Sequence, residues 1–318
     1  MAESFPRALS NLLKDEQTIA LAIQENPWFT REGIQFAIEN LLPWFEPKKL
    51  RDFADSYPDP QKQWTVAIIM AGNIPLAGMH DLICVLLSGH TAVVKCSSKD
   101  KILLPKFCSF LPPEISERIS FGISTAKTDF LIATGSNNSA RYFEDAFRDI
   151  PMLIRKNRWS VAVLRGDESD AQLQGLAKDI LTFAGLGCRN VNHLLVPATW
   201  SPDQLLHALD AFPAAQLPAC YFQTMAWESA VLEMGSADII SSKNIILKPA
   251  SSPLPTAPGI LGFSFYTNEE EFRSQLQAIE TDLQVVAGVD VPFGQTQQPA
   301  LRDFADGADT MEILTFPR

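Results

Sequence analysis

Apolar runs of strand length alternate with helical periods along this sequence, and that alternation restricts its fold more than any other feature. The first series has predicted strands at residues 65–71, 92–95 and 129–133 and predicted helices at residues 76–87, 102–110 and 140–147. Strands that are apolar on both faces and alternate with helices form a parallel sheet covered on both sides. The sequence therefore predicts an α/β fold.

A second series begins near residue 160 and predicts a second α/β domain. Its predicted strands cover residues 160–164, 193–196, 244–247, 261–266 and 283–286, and its predicted helices cover residues 171–184, 202–211 and 217–234. We expect one domain over residues 1–159, which begins with helices, and another over residues 160–290. In the remaining segment, residues 291–318, we expect a β-strand at 310–316 that pairs within the chain or across a homodimer.

Charge and cysteine content narrow the class of protein. The formal net charge of −11 argues against nucleic acid as the main partner, because phosphate binding needs a surplus of Lys and Arg. The five cysteines have no paired spacing, so we expect neither a disulfide framework nor a metal site. Asn73 and Pro75 interrupt the most apolar stretch, so we expect no membrane span and a cytoplasmic location.

Each strand of the first series ends in a polar turn. Open α/β sheets bind ligands outside the carboxyl ends of their strands, and turns rich in Gly and Ser expose N–H groups that suit a phosphate. Each turn alone has an ordinary structural explanation, since the chain lacks a GxGxxG or Walker sequence, but the three together predict a nucleotide cleft. The candidate residues are Gly72 and Asn73 at the first strand end, Lys95, Ser97 and Ser98 at the second, and Thr134, Gly135 and Ser136 at the third.

Cys188 is the candidate nucleophile. It lies in the segment Phe-Ala-Gly-Leu-Gly-Cys-Arg-Asn-Val, between a predicted helix and a predicted strand. Gly185 and Gly187 allow a sharp backbone turn that presents the thiol to a cleft. Arg189 either favours the thiolate or points to solvent, and we expect His193 to be structural because an extended segment separates it from the cysteine.

The order of these residues resembles that of the aldehyde dehydrogenase superfamily, and within it the acyl-CoA reductase branch related to the fatty-acyl reductase of bacterial bioluminescence. The resemblance covers residues 64–196 and returns over residues 283–314, with Phe-Gly-Gln-Thr-Gln at residues 293–297. It implies a Rossmann-type cofactor sheet in the first domain and a second domain that carries the catalytic cysteine.

The resemblance also assigns roles to individual residues. It implies that Cys188 is the nucleophile and that Asn73 contributes to the oxyanion hole. It further implies that Lys95 contacts the adenosine ribose of the cofactor, and that Gly135 and Ser136 lie beside its pyrophosphate.

Three departures from the dehydrogenase pattern refine the expected reaction. Residues 155–160 should correspond to the Glu-Leu-Gly-Gly segment, whose glutamate activates water, but they contain no carboxylate. A thioester on the enzyme should then survive to exchange with coenzyme A. Ser97, Ser98 and Lys99 stand where many NAD-preferring relatives have an acid, which favours NADPH, with NADH as the alternative. The Glu-Ile-Phe-Gly-Pro segment that holds the nicotinamide ribose is missing.

These observations predict an NAD(P)H-dependent acyl-CoA reductase. Cys188 would accept the acyl group of an acyl-CoA or a carrier-bound thioester, and NAD(P)H would reduce that acyl group to an aldehyde. Two alternatives stay open: an acyl-phosphate reductase of the same fold, and a non-redox acyl-binding or scaffold protein that retains the cysteine.

Overall fold

The structure is a computed structural model that describes residues 1–122, 127–135 and 137–316. The strands are β1 (Thr65–Ile69), β2 (Thr91–Lys95), β3 (Ile119–Phe121), β4 (Phe130–Thr134), β5 (Met152–Arg155), β6 (Trp159–Val163), β7 (Val191–Pro197), β8 (Ile240–Ser241), β9 (Ile246–Pro249), β10 (Ile260–Tyr266) and β11 (Leu283–Ala287). Together with the helices they form an α/β fold, as predicted.

The described residues also form α-helices. They are α1 (Ser4–Lys14), α2 (Glu16–Glu25), α3 (Arg31–Leu41), α4 (Pro47–Ala54), α5 (Met79–Leu87), α6 (Leu103–Ser109), α7 (Pro113–Ser116), α8 (Asn137–Ala146), α9 (Asp170–Leu181), α10 (Asp203–Ala211), α11 (Ala219–Met234), α12 (Glu269–Gln277) and α13 (Thr310–Thr315). In the ranges that the structure describes, none of these helices has both the length and the apolar character to cross a membrane.

The chain divides into two compact units. The first unit contains residues 1–157 and 299–318, and the second contains residues 158–298. The chain therefore leaves the first unit once, builds the second, and returns to the first at its C-terminal end.

Sheet A, in the first unit, is parallel throughout. Its strand order is β3-β2-β1-β4-β5. Ile69 at the end of β1 is in register with Lys95 of β2 and with Ala133 of β4. Because the three strands end at the same level, the polar turns that follow them meet at one edge of the sheet.

Alternate side chains of β1 enter two separate parts of the core. Val66 and Ile68 belong to a large cluster that includes residues of α5, whereas Ala67 and Ile69 pack in a smaller cluster with Phe143 of α8. Both faces of the strand are thus covered, which is why its sequence is a continuous apolar run.

Sheet B forms the second unit. Its strand order is β11-β6-β7-β10-β9-β8, and only the short edge strand β8 pairs antiparallel among its described strands. β7 lies inside the sheet between β6 and β10. The segment that carries Cys188 joins α9 to this central strand.

Residues 310–315 form helix α13, so the prediction of a C-terminal strand is wrong. The side chain of Asp309 caps the helix by accepting a hydrogen bond from Glu312 N at 3.0 Å. The buried positions Thr310, Met311 and Leu314 lie on one helical face. The residues proposed as a strand for dimer pairing are therefore helical and packed in the first unit.

Candidate functional site

The turns after β1 and β2 are in close contact at the carboxyl edge of sheet A. A Cβ atom at Gly72 would lie 2.5 Å from Ser97 Cβ and 2.6 Å from Ser97 Oγ. Such separations are far below a normal carbon–carbon contact, so only glycine fits at this position. The sequence singled out both residues, but it did not show that they touch.

Two buried polar residues that the sequence analysis missed hold these turns. Asn26, at the end of α2, donates from Nδ2 to Lys99 O at 3.0 Å and to Gly72 O at 3.5 Å. Asp100 accepts a hydrogen bond from Leu76 N at 2.9 Å. Asn26 therefore joins the two strand-end turns, and Asp100 fixes the far end of the turn that carries Asn73.

The turn fixed by Asp100 includes a residue in the left-handed region. Leu76 has a φ of 56°, which is unfavourable for a residue other than glycine. The predicted helix therefore does not begin there, and α5 starts at Met79 instead. Burial raises the pKa of Asp100 to about 6, against the opposing effect of its hydrogen bonds from Leu76 and Leu103.

The predicted cofactor residues of the second strand end differ in their surroundings. Lys95 and Ser98 are exposed. Ser97 is partly buried, and its hydroxyl accepts a hydrogen bond from Lys99 N at 3.2 Å. Ser97 thus builds the turn and packs on Gly72, while the other two side chains face solvent.

At the third strand end, Thr134 and Gly135 are partly buried. Gly135 N donates to Arg155 O at 3.1 Å, which extends the pairing of β4 with β5. Ser136, the remaining predicted phosphate-binding residue, lies outside the described residues.

Arg155 begins the stretch that lacks the water-activating glutamate, and the structure places it in a buried ion pair. Its Nε lies 3.1 Å from Asp81 Oδ2 and its Nη2 lies 2.8 Å from Asp81 Oδ1. It also donates to Ala305 O at 2.6 Å and to Thr310 Oγ1 at 2.6 Å. This cation therefore joins α5 to the C-terminal segment within the first unit.

Cys188 lies at the tip of a tight turn in the second unit. Asn190 N donates to Gly187 O at 3.0 Å, and Gly187 N donates to Asn190 Oδ1 at 2.8 Å. These two bonds close a turn in which Cys188 and Arg189 are the central residues. The Cys188 carbonyl accepts a hydrogen bond from Ser160 Oγ at 2.9 Å.

Helix α9 ends before the glycines that precede Cys188. The sequence predicted helix as far as residue 184, but Phe183 and Ala184 have φ values of 54° and 55° and lie in the left-handed region. Gly185 follows with a φ of 74°. Three consecutive left-handed residues thus reverse the chain between α9 and the turn at Cys188.

Cys188 is exposed, whereas the other four cysteines are buried or partly buried. Burial raises the pKa of each of these four thiols, to about 11 for Cys96 and to about 12 for Cys108. Since the thiolate is the nucleophilic form, those four are poor nucleophiles at neutral pH.

His193 is a core residue of sheet B. It is fully buried, and its Nε2 lies 2.9 Å from Ser264 Oγ. A Cβ at Gly262 would lie 2.3 Å from His193 Nδ1, so the ring packs directly on that glycine. Burial lowers the pKa of His193 to about 4, which keeps the ring neutral at pH 7.

The loop that precedes β10 is tied to β7 by hydrogen bonds between Thr256 and Asn192. Thr256 Oγ1 donates to Ile260 O at 2.6 Å, and Asn192 Nδ2 donates to Thr256 O at 3.3 Å. Thr256 N also donates to Asn192 Oδ1. Asn192 is therefore a partly buried anchor of this loop that the sequence analysis did not identify.

The fold is similar to that of several aldehyde dehydrogenases. The NAD-dependent benzaldehyde dehydrogenase of Corynebacterium glutamicum gives a TM-score of 0.61 at 13% identity, over 90% of this chain and 80% of that one. An aldehyde dehydrogenase of Brucella melitensis biovar abortus 2308 gives 0.62 at 15% identity, over 86% and 69%. An indole-3-acetaldehyde dehydrogenase in complex with NAD+ gives 0.62 at 16% identity, over 89% and 69%.

These similarities confirm the predicted fold, and at such identities they show the fold alone. The sequence matches no model of a protein family, and no curated protein is similar to it in sequence. The resemblance to the acyl-CoA reductase branch stays a prediction from the residues.

Proposed function

We propose that this protein is an NAD(P)H-dependent acyl-CoA reductase that forms an aldehyde through a thioester on Cys188. The observation that carries the proposal is the setting of Cys188, exposed at the tip of a turn that hydrogen bonds close on both sides. The aldehyde dehydrogenase fold supports it, because the segment before β7 carries the candidate nucleophile in that architecture.

The carboxyl edge of sheet A suits a nicotinamide dinucleotide. Gly72 lets the turns after β1 and β2 pack closely together, and the exposed Lys95 and Ser98 supply a cation and a hydroxyl. Lys95 would hold the adenosine ribose, Ser98 together with Lys99 would favour a 2′-phosphate, and Gly135 would lie beside the pyrophosphate. When bound there, NAD(P)H would supply the hydride for reduction of the acyl group.

The first step belongs to the residues of the chain. The Cys188 thiolate attacks the carbonyl carbon of the acyl-CoA, the new C–S bond forms, and the bond to coenzyme A breaks as its thiol leaves with a proton. Negative charge gathers on the carbonyl oxygen during this exchange. We assign its stabilisation to the Cys188 backbone N–H, and the family resemblance implies the same role for the Asn73 amide; losing one such donor typically lowers kcat about 10²–10³-fold.

The lack of a base for hydrolysis favours reduction over release of an acid. The stretch that should carry the water-activating glutamate begins instead with Arg155, whose guanidinium is committed to Asp81. A thioester on Cys188 should therefore persist until it is reduced. The aldehyde then leaves as the C–S bond breaks and the thiol is restored.

Acyl transfer in the absence of a reductant tests this function. After incubation with a long-chain acyl-CoA, the intact protein should gain the mass of one acyl group, Cys188→Ala should gain none, and Cys220→Ala should behave as the wild type. Addition of NADPH should then release the group as aldehyde.

The two other outcomes of this experiment identify the alternatives. An acyl group that loads but is never discharged by NADPH would indicate an acyl carrier, in agreement with the missing Glu-Ile-Phe-Gly-Pro segment. Loading from an acyl phosphate but not from acyl-CoA would indicate an acyl-phosphate reductase.

A further inference from the structure

We propose that Asn190 is the positioning residue for Cys188: it holds the strained segment between α9 and the cysteine, and the rate of acyl capture depends on it. This inference rests on the proposed function of Cys188. Asn190 is buried, with 1% of its surface exposed, although its neighbour Cys188 is exposed. Its side chain therefore faces the protein while the thiol faces outward.

The amide of Asn190 binds the C-terminal end of α9. Its Nδ2 donates to Asp179 O at 3.0 Å, Ile180 O at 3.2 Å and Thr182 O at 2.8 Å. The last carbonyls of a helix have no partner within the helix, so they need an external donor when they are buried. The Asn190 side chain supplies this donor for three carbonyls at the end of α9.

The same side chain also holds the residue before the cysteine. Asn190 Oδ1 accepts from Gly187 N at 2.8 Å, so the two ends of its amide bind backbone on either side of residues 183–186. Phe183 and Ala184, inside that span, are left-handed. Non-glycine residues keep such a conformation only where their surroundings enforce it, and Asn190 spans the two ends of this strained stretch.

Asp179, whose carbonyl accepts a hydrogen bond from Asn190, is itself held in place by hydrogen bonds to its carboxylate. The Asp179 carboxylate accepts hydrogen bonds from Gly294 N at 2.6 Å, Thr296 N at 3.0 Å and Thr296 Oγ1 at 2.8 Å. On the other side of the cysteine, Ser160 binds the Cys188 carbonyl. The backbone is thus held both before and after the thiol, and Asn190 makes the contact before it.

Asn190→Ala is the principal test, and Asn244→Ala is its matched control. Asn244 is also fully buried, and its Nδ2 donates to Leu209 O at 2.9 Å and Phe212 O at 3.2 Å, where α10 ends. Both substitutions remove a buried asparagine that caps a helix end, but only the first also removes a contact beside Cys188. If Asn190→Ala does not fold, Asn190→Ser, which keeps a hydroxyl at this position, replaces it.

Three measurements are made on each full-length variant: the rate of acyl loading from acyl-CoA, steady-state kcat and KM, and hydrogen exchange of the peptide that spans residues 183–190. We expect Asn190→Ala to lower the loading rate and kcat about 100-fold, as a misplaced reacting group does, with KM within about twofold of the wild type. We also expect faster exchange in that peptide. Asn244→Ala should change neither loading nor this exchange.

The inference would be overturned if Asn190→Ala accepted the acyl group at the wild-type rate. It would also be overturned if Asn244→Ala lost as much of the loading rate as Asn190→Ala. If the wild type itself accepts no acyl group, the proposed function fails. The hydrogen-exchange result then tests by itself whether Asn190 holds the segment of residues 183–190. Unchanged exchange of residues 183–190 in Asn190→Ala would then overturn the positioning role as well.

Discussion

At the scale of single residues, the contact between Gly72 and Ser97 leaves no space for a side chain at position 72. We expect Gly72→Ala to lower the free energy of unfolding by about 1–3 kcal/mol, the usual cost of overpacking, in urea denaturation followed by circular dichroism. Gly235→Ala is the control, because its added carbon would meet its nearest neighbours at 3.5 and 3.6 Å.

A second substitution makes this test more specific. Ser97→Gly removes the Cβ and Oγ atoms that the new methyl group would strike, so the double variant should recover part of the lost stability. Strictly additive effects of the two changes would contradict the contact, since residues that touch are expected to be coupled.

Asp100 makes the stability of the first unit depend on pH. Burial raises its pKa from the ordinary value of 3.8 to about 6 in the folded protein. Because the folded state holds the proton more tightly, the contribution of Asp100 is fully present below about pH 4 and is lost as the pH rises through 6. A shift of this size corresponds to at most about 3 kcal/mol.

Asp100→Asn should remove this dependence. We expect the free energy of unfolding of the wild type, minus that of the variant, to be smaller at pH 7.5 than at pH 5. A constant difference across this interval would show that the carboxyl group does not titrate there. His193→Gln provides a comparison of opposite sign: the depressed pKa of that imidazole, about 4, contributes stability above pH 6.5 that is lost on acidification.

At the scale of elements, the direction of the parallel strands of sheet A sets which edge of the sheet the proposed cofactor would occupy. Lys95 lies at the carboxyl end of β2, whereas Lys62 lies before the amino end of β1. We expect Lys95→Ala to weaken NADPH and NADH binding about tenfold or more, since a hydrogen bond to a charged group contributes about 1.5–3 kcal/mol. Nucleotide fluorescence titration measures both affinities, and Lys62→Ala should retain them.

Ser98→Ala tests whether the same strand end distinguishes NADPH from NADH. If Ser98 helps to hold the 2′-phosphate, its loss should weaken NADPH more than NADH. Equal affinities of the unchanged protein for both nucleotides would argue against the NADPH preference.

At the scale of the whole molecule, the C-terminal segment returns to the first unit and is held there by buried polar groups. The Arg155–Asp81 pair, with Thr310 beside it, joins this segment to α5 and β5. We expect Arg155→Leu to cost about 3–5 kcal/mol, because it leaves the Asp81 carboxylate buried without its cation. Limited proteolysis should then cleave the segment of residues 299–318 faster than in the wild type.

The double variant Asp81→Leu/Arg155→Leu is the control for this pair. Replacement of both charges by apolar groups should cost less than loss of the cation alone. If the double variant were as unstable as Arg155→Leu, the loss of stability would arise from packing and not from an uncompensated charge.

The sequence alone was enough to predict the elements whose pattern is local. β1, β10 and α11 lie close to their predicted limits because apolar periodicity and turn residues are properties of neighbouring positions. The same local reasoning singled out Cys188 as the candidate nucleophile from its flanking glycines, and that role stays a prediction. It failed at residues 310–315, where a short apolar stretch is compatible with strand or helix until its packing is known.

Tertiary structure alone decided the contacts that shape the candidate site. Asn26 reaches residues 46 and 73 positions away, and Asp100 fixes a left-handed Leu76 inside a segment with a helical pattern. Asn190 binds backbone carbonyls eight to eleven positions earlier in the sequence, and it can do so only because α9 ends before Phe183. Periodicity in the sequence indicates which side of an element is buried. These polar contacts depend instead on which distant segments of the chain meet, and the packing of the sheets and helices alone sets those meetings.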